Sequence, residues 1–409
     1  MRLVELKLQN FRNFAAQRLE LKPRLNFFVG ANGQGKTNLL EAVYLLSRGE
    51  SFRPADREHL IRNVFEGQSE IGIAHRSNLN QAKLIATLDG ELGRHLLISQ
   101  IQDSRHTVEL DGKRTGFSTL ASQVPVILFS PESLAAIKDG PDSRRRLVDE
   151  GLLTRGRVGA QLLRDYSRTL RARNALLKQL MEGDSRASTR DSLASLTSIF
   201  LVLGAHLASE RTKLLRDLLP FWREAFASIT QRTPETLGLR YEVSGQESLD
   251  WTEAQIFDVM SHRQQELAAR EVSAGSSLVG PHKHDLKFLV AENDSRFFAS
   301  QGQQRALILA FKIAQINLHR TTVGRYPILL LDDVMSELDA DKRSRLMQFL
   351  EGISAQVLLS ATDLTWSQEF APQDNAVFSV NAGEVRCVES RDRLDQMRST
   401  TLGLRADVN

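Results

Sequence analysis

The sequence predicts an α/β protein in which a helical segment interrupts the α/β domain. Short apolar runs typical of buried strands occur towards both ends of the chain, at residues 25–29, 326–331 and 356–359. Between them, over residues 142–275, apolar residues recur at spacings of three, four and seven, which predicts amphipathic helices. The 409-residue length also exceeds the roughly 250 to 300 residues at which a single core stops growing.

Composition places the chain among globular proteins. With 41% hydrophobic residues, 25% charged residues and a net charge of +3, collagenous, disulfide-rich and broadly disordered classes are excluded. The single Cys387 cannot form an internal disulfide, which favours a reducing compartment. The N-terminus alternates apolar and polar residues like a strand, and we identify no uncharged apolar stretch near the ~18 residues of a membrane span. We therefore expect a cytoplasmic protein without membrane contact.

The helical segment is predicted to contain a hairpin. Its first helix, taken as residues 159–183, would be ~37 Å long at 1.5 Å per residue. Turn-forming residues at 183–192 separate it from a second helical pattern. The predicted division is an α/β head built from two segments, an inserted helical arm and a polar tail, with the bounds 1–141 and 276–389, 142–275, and 390–409.

A phosphate-binding motif follows the predicted strand at residues 25–29 and precedes a helical pattern. Glycines in such a loop let backbone N–H groups surround phosphate oxygens. The lysine would neutralise the β- and γ-phosphates, and the threonine hydroxyl would bind Mg²⁺. An ordinary glycine-rich turn is the alternative. The residues matching G-x-x-x-x-G-K-[ST] are Gly30, Ala31, Asn32, Gly33, Gln34, Gly35, Lys36 and Thr37.

Two carboxylates, Asp332 and Asp333, end the apolar run that begins at Ile328. This pattern is typical of a Walker B strand, in which the first Asp holds Mg²⁺ directly or through water. ATP-binding-cassette (ABC) heads usually have Glu at the second position, where it polarises the attacking water. Because Asp333 is one methylene shorter, we predict slow hydrolysis. Lys36, Asp332 and Asp333 are assigned to catalysis, and Thr37 and Asp332 to the metal; simple capping of a buried strand is the alternative.

A third motif, at residues 300–305, precedes an apolar helix and is similar to the cassette signature. That signature presents a serine hydroxyl, a glycine backbone and a helix N-terminus to a γ-phosphate held by a second subunit. Residues 336–339 resemble the D-loop, which crosses the same interface. A plain helix cap at Ser300 is the alternative. The residues assigned to these two motifs are Ser300, Gly302, Gln303, Ser336 and Asp339.

Taken together, the motifs resemble the RecF family of bacterial DNA replication and repair proteins, in the SMC-like ATPase group. The similarity rests on these segments: residues 10–13, 32–42, 51–53, 129–132, 144–149, 280–282, 300–305 and 329–339. Two departures are visible. Lys283-His284-Asp285 stands where the family usually has Arg-Asp-Asp, and Ser360-Ala361-Thr362-Asp363 lacks the switch histidine of transporter cassettes, as RecF-like sequences do.

This resemblance implies a P-loop, ABC-type, SMC-like ATPase head with a short helical arm. Lys36 and Ser300 lie too close in sequence for the long coiled-coil arms of chromosome-organising SMC proteins. The family further implies a homodimer that forms with ATP and Mg²⁺, clamps gapped or duplex DNA, hydrolyses ATP slowly and assists RecA loading with RecO and RecR. The alternatives are an energy-coupling ATPase subunit of a transporter-like assembly and a small-molecule phosphotransferase.

Basic residues are concentrated in the predicted arm, with ten Arg or Lys against three Asp or Glu between positions 144 and 178. Such a stripe suits phosphate contacts. Because Tyr166 is the only aromatic residue there, a duplex backbone is favoured over stacking on single-stranded bases; a solvated helix face is the alternative. His282, His284 and Asp285 supply too few ligands for a metal site. The DNA-contact candidates are Arg144, Arg145, Arg146, Arg164, Arg168, Arg171 and Arg173.

Overall fold

The computed structural model describes residues 1–53, 57–62, 81–91, 93–102, 105–184, 186–231, 237–362 and 375–388. These residues form two compact units. The first comprises the described residues up to Pro131 together with those from Tyr326 onward, and the second comprises Glu132–Arg325. The predicted polar tail at 390–409 lies outside the described residues.

The first unit contains two sheets. In the first sheet the order is β2-β1-β4-β5-β6-β7 and every pairing is antiparallel. Its strands are β1 (Arg2–Phe11), β2 (Phe14–Glu20), β4 (Gln81–Gly90), β5 (Gly93–Gln102), β6 (Arg105–Leu110) and β7 (Lys113–Arg114). The second sheet has the order β16-β15-β3-β14-β13-β8 and is parallel except for β16. Its strands are β3 (Leu25–Val29), β8 (Val126–Phe129), β13 (Ile328–Leu331), β14 (Val357–Ala361), β15 (Ala376–Asn381) and β16 (Glu384–Cys387).

The parallel strands β3, β13 and β14 are apolar and fully buried, which explains why they read as continuous hydrophobic runs. Helix α1 (Lys36–Arg48) follows β3, and its side chains share one core with apolar residues of both sheets. Strand β14 lies between β3 and β13, so the carboxyl ends of these three strands meet at one edge. The unit also contains α2 (Phe117–Gln123), α10 (Ala340–Gly352) and 3₁₀ helices at Arg57–Leu60 and Val334–Glu337.

The second unit is mainly helical, with a small antiparallel sheet of order β10-β9-β11-β12. Helix α3 (Pro131–Leu134) leads into it. Its further helices are α4 (Pro141–Thr154), α5 (Arg157–Met181), α6 (Ala187–Thr230), α7 (Glu253–Ala274), α8 (Ser295–Phe298) and α9 (Gln301–Val323). Its strands are β9 (Leu237–Val243), β10 (Gln246–Glu247), β11 (Asp285–Val290) and β12 (Asn293–Asp294).

Two differences from the sequence-based division follow. The predicted hairpin is formed by α5 and α6, but a strand, β9, lies within the segment expected to be helical. Residues 132–141 and 276–325, expected in the head, belong to the second unit. The reason is non-local: β11 pairs with β9, and the Trp222 indole on α6 donates a 2.9 Å hydrogen bond to the Leu307 carbonyl on α9.

Helix α6 corrects the expectation about apolar stretches. Residues 192–209 carry no Asp, Glu, Lys or Arg. By length and composition alone the helix could cross a membrane, and its most apolar 18-residue window has a mean hydropathy of 1.6 and is 39% buried. The expectation of no such stretch was therefore wrong. In this unit Phe200, Leu207 and Trp222 on α6 are buried, as in a core helix of a globular domain.

Candidate nucleotide-binding site

The phosphate loop connects β3 to α1, as the motif predicts. Gly33 and Gly35 have φ angles of 80° and 116°, a region that residues with a Cβ rarely adopt. An added Cβ at Gly35 would also lie 2.5 Å from Asn13 Nδ2. Ala31, Asn32 and Gly33 are exposed. The loop is thus a backbone cradle with one open side, at a helix N-terminus that favours anions.

Lys36 is buried beneath this loop. Its Nζ donates hydrogen bonds of 2.7 and 3.0 Å to the carbonyl oxygens of Gly30 and Ala31. Burial lowers the pKa of Lys36, while the nearby carboxylates of Asp333 and Asp332 act in the opposite direction. The ammonium group therefore lies where a phosphate oxygen can replace these carbonyl acceptors.

Thr37 and Asp332 meet across the site, although they are far apart in sequence. Thr37 Oγ1 donates a 2.8 Å hydrogen bond to Asp332 Oδ1. Burial raises the pKa of Asp332, against the hydrogen bonds from Ser360 and Thr37, which lower it. A hydroxyl and a carboxylate are oxygen ligands of the kind Mg²⁺ prefers, together with water and substrate phosphates. Among the described residues no three His, Cys, Asp or Glu cluster for a metal, so a cation here would need nucleotide and water oxygens as its other ligands.

Asp333 follows Asp332 in the left-handed conformation, with φ 48° and ψ 19°. Its backbone N–H donates a 2.9 Å hydrogen bond to Ser360 Oγ, and the hydroxyl of Ser336 donates to its carbonyl at 2.6 Å. Burial is the larger cause of the pKa shifts of Lys36 and Asp332, and the Asp333 charge acts to raise both pKa values. The water-orienting role assigned to Asp333 stays a prediction.

The phosphate loop is also supported from outside by residues that the motif did not identify. Asn13 Nδ2 donates a 2.9 Å hydrogen bond to the Gln34 carbonyl, and Asn13 Oδ1 accepts one of 2.8 Å from Asn38. The turn between β15 and β16 binds Gln34 as well, with the Gly383 N–H donating to its carbonyl at 3.1 Å and the Ala382 N–H to its side chain at 2.6 Å. Residues 10–13 were among the segments that resemble the family, but no motif predicted that Asn13 contacts the loop.

A buried carboxylate, Glu41, joins two of the resembling segments, residues 10–13 and 51–53, to α1. It accepts hydrogen bonds of 2.9 and 2.6 Å from Arg12, and one of 2.5 Å each from Ser51 and Arg53. Burial alone would raise the pKa of Glu41, but these hydrogen bonds lower it below its usual value. Arg53 also donates to Asn38 Oδ1 at 2.5 Å. A guanidinium group is therefore held beside the first turn after the loop, a feature that the charge pattern did not predict.

The signature residues form the start of α9, in the second unit. Ser300 Oγ accepts from the Gln303 N–H at 3.3 Å, and Gln303 Oε1 accepts from the Ser300 N–H at 2.9 Å. These two hydrogen bonds form a capping box. Ser300 therefore caps α9, as the helix-cap alternative predicted. Ser300 is exposed and Gly302 is half-buried.

The D-loop residues lie in the first unit. Ser336 and Asp339 are both exposed, and the Asp339 side chain caps α10 by accepting from the Lys342 N–H at 3.0 Å. The trans role predicted for the signature and D-loop residues stays a prediction.

Three of the DNA-contact candidates form hydrogen bonds or ion pairs inside the second unit. Arg144, 2% exposed, binds Asp285 through hydrogen bonds of 2.9 and 3.0 Å. Arg173, 1% exposed, forms an ion pair with Glu271 at 2.6 Å. Arg145 donates to the His284 carbonyl at 2.5 Å, and its side chain is 11% exposed. These guanidinium groups stabilise the unit and are not available to a phosphate backbone.

The other candidates are exposed. Arg164, Arg168 and Arg171 lie on α5, and Arg146 lies on α4. Arg157 and Lys178 are also exposed and extend the α5 set at its two ends. From Arg157 to Lys178 the five cations are separated by seven, four, three and seven residues, so they lie on one side of the helix. The stripe from 157 to 178 is ~32 Å long at 1.5 Å per residue. We call it the α5 basic stripe.

His282, in the matching segment 280–282, and His284, in the segment that departs from the family pattern, both form structural hydrogen bonds. His282 Nδ1 lies 2.6 Å from the Tyr166 hydroxyl, and burial lowers the pKa of His282 to about 4. His284 Nδ1 lies 3.1 Å from the Tyr241 hydroxyl, and burial holds the pKa of His284 well below its usual value. Both rings are therefore neutral near pH 7 and tie this segment to α5 and β9.

Comparison with known proteins shows the family of the chain. Residues 2–384 match the family model described as the RecF/RecN/SMC N terminal domain. The DNA replication and repair protein RecF of Anaeromyxobacter dehalogenans is 35% identical over 393 residues, covering 94% of this chain and 99% of the relative. RecF of Lacticaseibacillus paracasei is 35% identical over 384 residues, with the same coverage.

Solved structures give the same result. A structure of the recombination mediator protein RecF with ATP matches with a TM-score of 0.80 and 26% identity, covering 95% of this chain and 97% of that one. An SMC head from Pyrococcus furiosus matches in fold alone, with a TM-score of 0.52 and 14% identity. These matches confirm the predicted ABC-type, SMC-like ATPase head with a helical insertion. The chain therefore belongs to the RecF/RecN/SMC N-terminal domain family, among its RecF proteins.

Proposed function

We propose that the protein is an ATP-driven, DNA-binding switch of replication and recombinational repair. The observation that carries this proposal is the convergence of Lys36, Thr37 and Asp332 at the open phosphate loop, with the Thr37 hydroxyl 2.8 Å from Asp332 Oδ1. The ATP-bound structures of RecF relatives support ATP as the ligand. The matches are to RecF proteins and SMC heads, so a transporter-like energy subunit is not favoured.

ATP is proposed to be shared by two copies of the chain. The phosphate loop of one copy would bind the triphosphate, and the exposed Ser300 and half-buried Gly302 of the other would contact the γ-phosphate through the N-terminus of α9. Ser336 and Asp339, exposed in the first unit, would line the same interface. Binding energy from the nucleotide would then favour the dimer, which makes dimerisation the switch.

Hydrolysis would reset the switch. Lys36 would exchange its two carbonyl acceptors for phosphate oxygens, and Asp333 would orient the attacking water. Mg²⁺, held by Thr37 and Asp332, would neutralise charge that develops on the phosphates. Because the Asp333 carboxylate is one methylene shorter than the usual glutamate, we expect slow turnover, which suits a switch that must persist while DNA is bound.

The α5 basic stripe is proposed as a contact for a duplex phosphate backbone, since its cations are exposed and lie on one side of a helix. DNA contact would stimulate the weak ATPase by favouring the dimer. RecR and RecO are proposed as partners, and RecA loading as the outcome, on family resemblance alone. A cytoplasmic location is proposed on the same grounds.

Charge reversal tests whether the α5 basic stripe contacts DNA. Replacing Arg164, Arg168 and Arg171 by Glu should weaken duplex binding at low salt at least tenfold and lower the slope of log affinity against log salt by roughly 3, one unit per lost phosphate contact. Fluorescence anisotropy over a salt series measures both quantities. The matched control reverses three exposed cations of α6 by the same total charge: Arg190, Lys213 and Arg216.

An unchanged affinity and slope in the stripe variant would remove α5 from the DNA interface. Equal losses in both variants would mean that overall charge, and not the stripe, governs binding. Arg173 is left intact, because reversing it would place a carboxylate against Glu271 in the interior.

A further inference from the structure

Ser360 has an unusual position for a polar residue. It lies on β14, the strand between β3 and β13, in a run where every residue from Val357 to Ala361 is buried. Its side chain is completely buried, and its backbone is level with Phe28 of β3. A hydroxyl buried this deeply needs partners. Those partners are the two acidic residues at the end of β13.

One hydroxyl group contacts both acids. Ser360 Oγ donates a 2.8 Å hydrogen bond to Asp332 Oδ1 and accepts the backbone N–H of Asp333 at 2.9 Å. Its donor and one acceptor position are thereby used. The first bond, with the one from Thr37 to the same oxygen, fixes the rotation of the Asp332 carboxylate.

The second bond acts on the backbone. Asp333 has a φ angle of 48°, a left-handed conformation that is strained for a residue other than glycine. Such a conformation persists where surrounding contacts impose it. The Asp333 N–H bonded to Ser360 is such a contact, because it anchors the peptide that turns the chain out of β13.

We propose that Ser360 is a positioning residue of the nucleotide site, which fixes the rotation of Asp332, the residue that would hold Mg²⁺, and holds Asp333 at the turn. It acts through these residues and contacts no reacting atom. This inference rests on the proposed function, since it assumes that the site binds ATP with Mg²⁺. Residues that hydrogen-bond to metal ligands typically contribute 10- to 100-fold to metal affinity.

The test compares Ser360→Ala with Ser47→Ala in the full-length protein. Ser47 is a matched control: it is equally buried in the first unit, and its hydroxyl donates only to the Val124 carbonyl, at 2.6 Å. Calorimetric titration with ATP is performed in Mg²⁺ and in EDTA. Ser360→Ala should weaken binding in Mg²⁺ at least tenfold while leaving binding in EDTA unchanged, and it should lower kcat. Ser47→Ala should change neither affinity.

A second pair covers the case in which Ser360→Ala does not fold. Threonine and valine have the same shape and suit a strand equally, so Ser360→Thr and Ser360→Val differ only in the hydroxyl. The threonine variant should retain the Mg²⁺ dependence of ATP binding and the valine variant should lose it.

The outcomes distinguish a failure of the proposed metal site from a failure of the role proposed for Ser360. If the unmodified protein binds ATP equally well in Mg²⁺ and EDTA, the proposed metal site itself is refuted. If the unmodified protein depends on Mg²⁺ and the serine-free variants show the same dependence, the role of Ser360 is overturned and the proposed function stands.

Discussion

Replacing Lys36 by methionine is expected to weaken ATP binding strongly and to abolish ATP-dependent dimerisation. Lys36 is 3% exposed and its Nζ is already held by the Gly30 and Ala31 carbonyls, so little reorganisation is needed to reach phosphate oxygens. Each charge-assisted hydrogen bond contributes about 1.5–3 kcal/mol, so losing two should weaken binding roughly 10²- to 10⁴-fold. Methionine has a similar length and keeps the buried stem filled, which limits the effect on folding.

Binding of a fluorescent ATP analogue and sedimentation velocity measure the two consequences. The control is Lys22→Met, which removes an exposed lysine of the same unit and should leave both unchanged. A Lys36→Met protein that still dimerises on addition of ATP would contradict the shared-site mechanism.

The second large effect is expected at Asp333. Replacement by asparagine should reduce ATP hydrolysis at least 10²-fold, because a positioned group that accepts a proton typically contributes 10²- to 10⁴-fold. ATP binding should be retained, since Asn tolerates the left-handed conformation at φ 48° and the N–H bond to Ser360 Oγ uses only the backbone. The ATP-bound dimer should therefore accumulate.

Phosphate release and the lifetime of the ATP-bound dimer measure this prediction. Asp341→Asn, an exposed acid in the first turn of α10, removes the same charge nearby and should leave turnover unchanged. Turnover near the unmodified rate in Asp333→Asn would assign water activation to another residue.

The sequence was most informative where structure is encoded locally. Residues 25–29 form β3 and residues 328–331 form β13, as their apolar runs predicted, because strands buried on both faces must be apolar throughout. The phosphate loop was equally predictable, since closely spaced glycines and a lysine define its backbone and charge. Helix α5 matches the predicted first arm of the hairpin to within two residues at each end.

The sequence pattern did not predict contacts between residues far apart in the chain. Arg144 and Arg173 looked like surface charges because their partners, Asp285 and Glu271, lie 141 and 98 positions away. Ser360 looked like one polar residue in an apolar strand until the sheet order placed it beside Asp332. In each case a charge or hydroxyl was visible in the sequence, whereas the residue that binds it depended on the tertiary fold.

ATP is proposed to join two copies of this chain into a DNA-binding dimer. The decisive measurement is sedimentation velocity of the unmodified protein, with ATP and Mg²⁺ and with or without duplex DNA. We expect a monomer without nucleotide, a dimer with ATP, more dimer when duplex is present, and return to monomer as ATP is consumed. A protein that stays monomeric with both ATP and duplex, or that dimerises equally well without nucleotide, would contradict it.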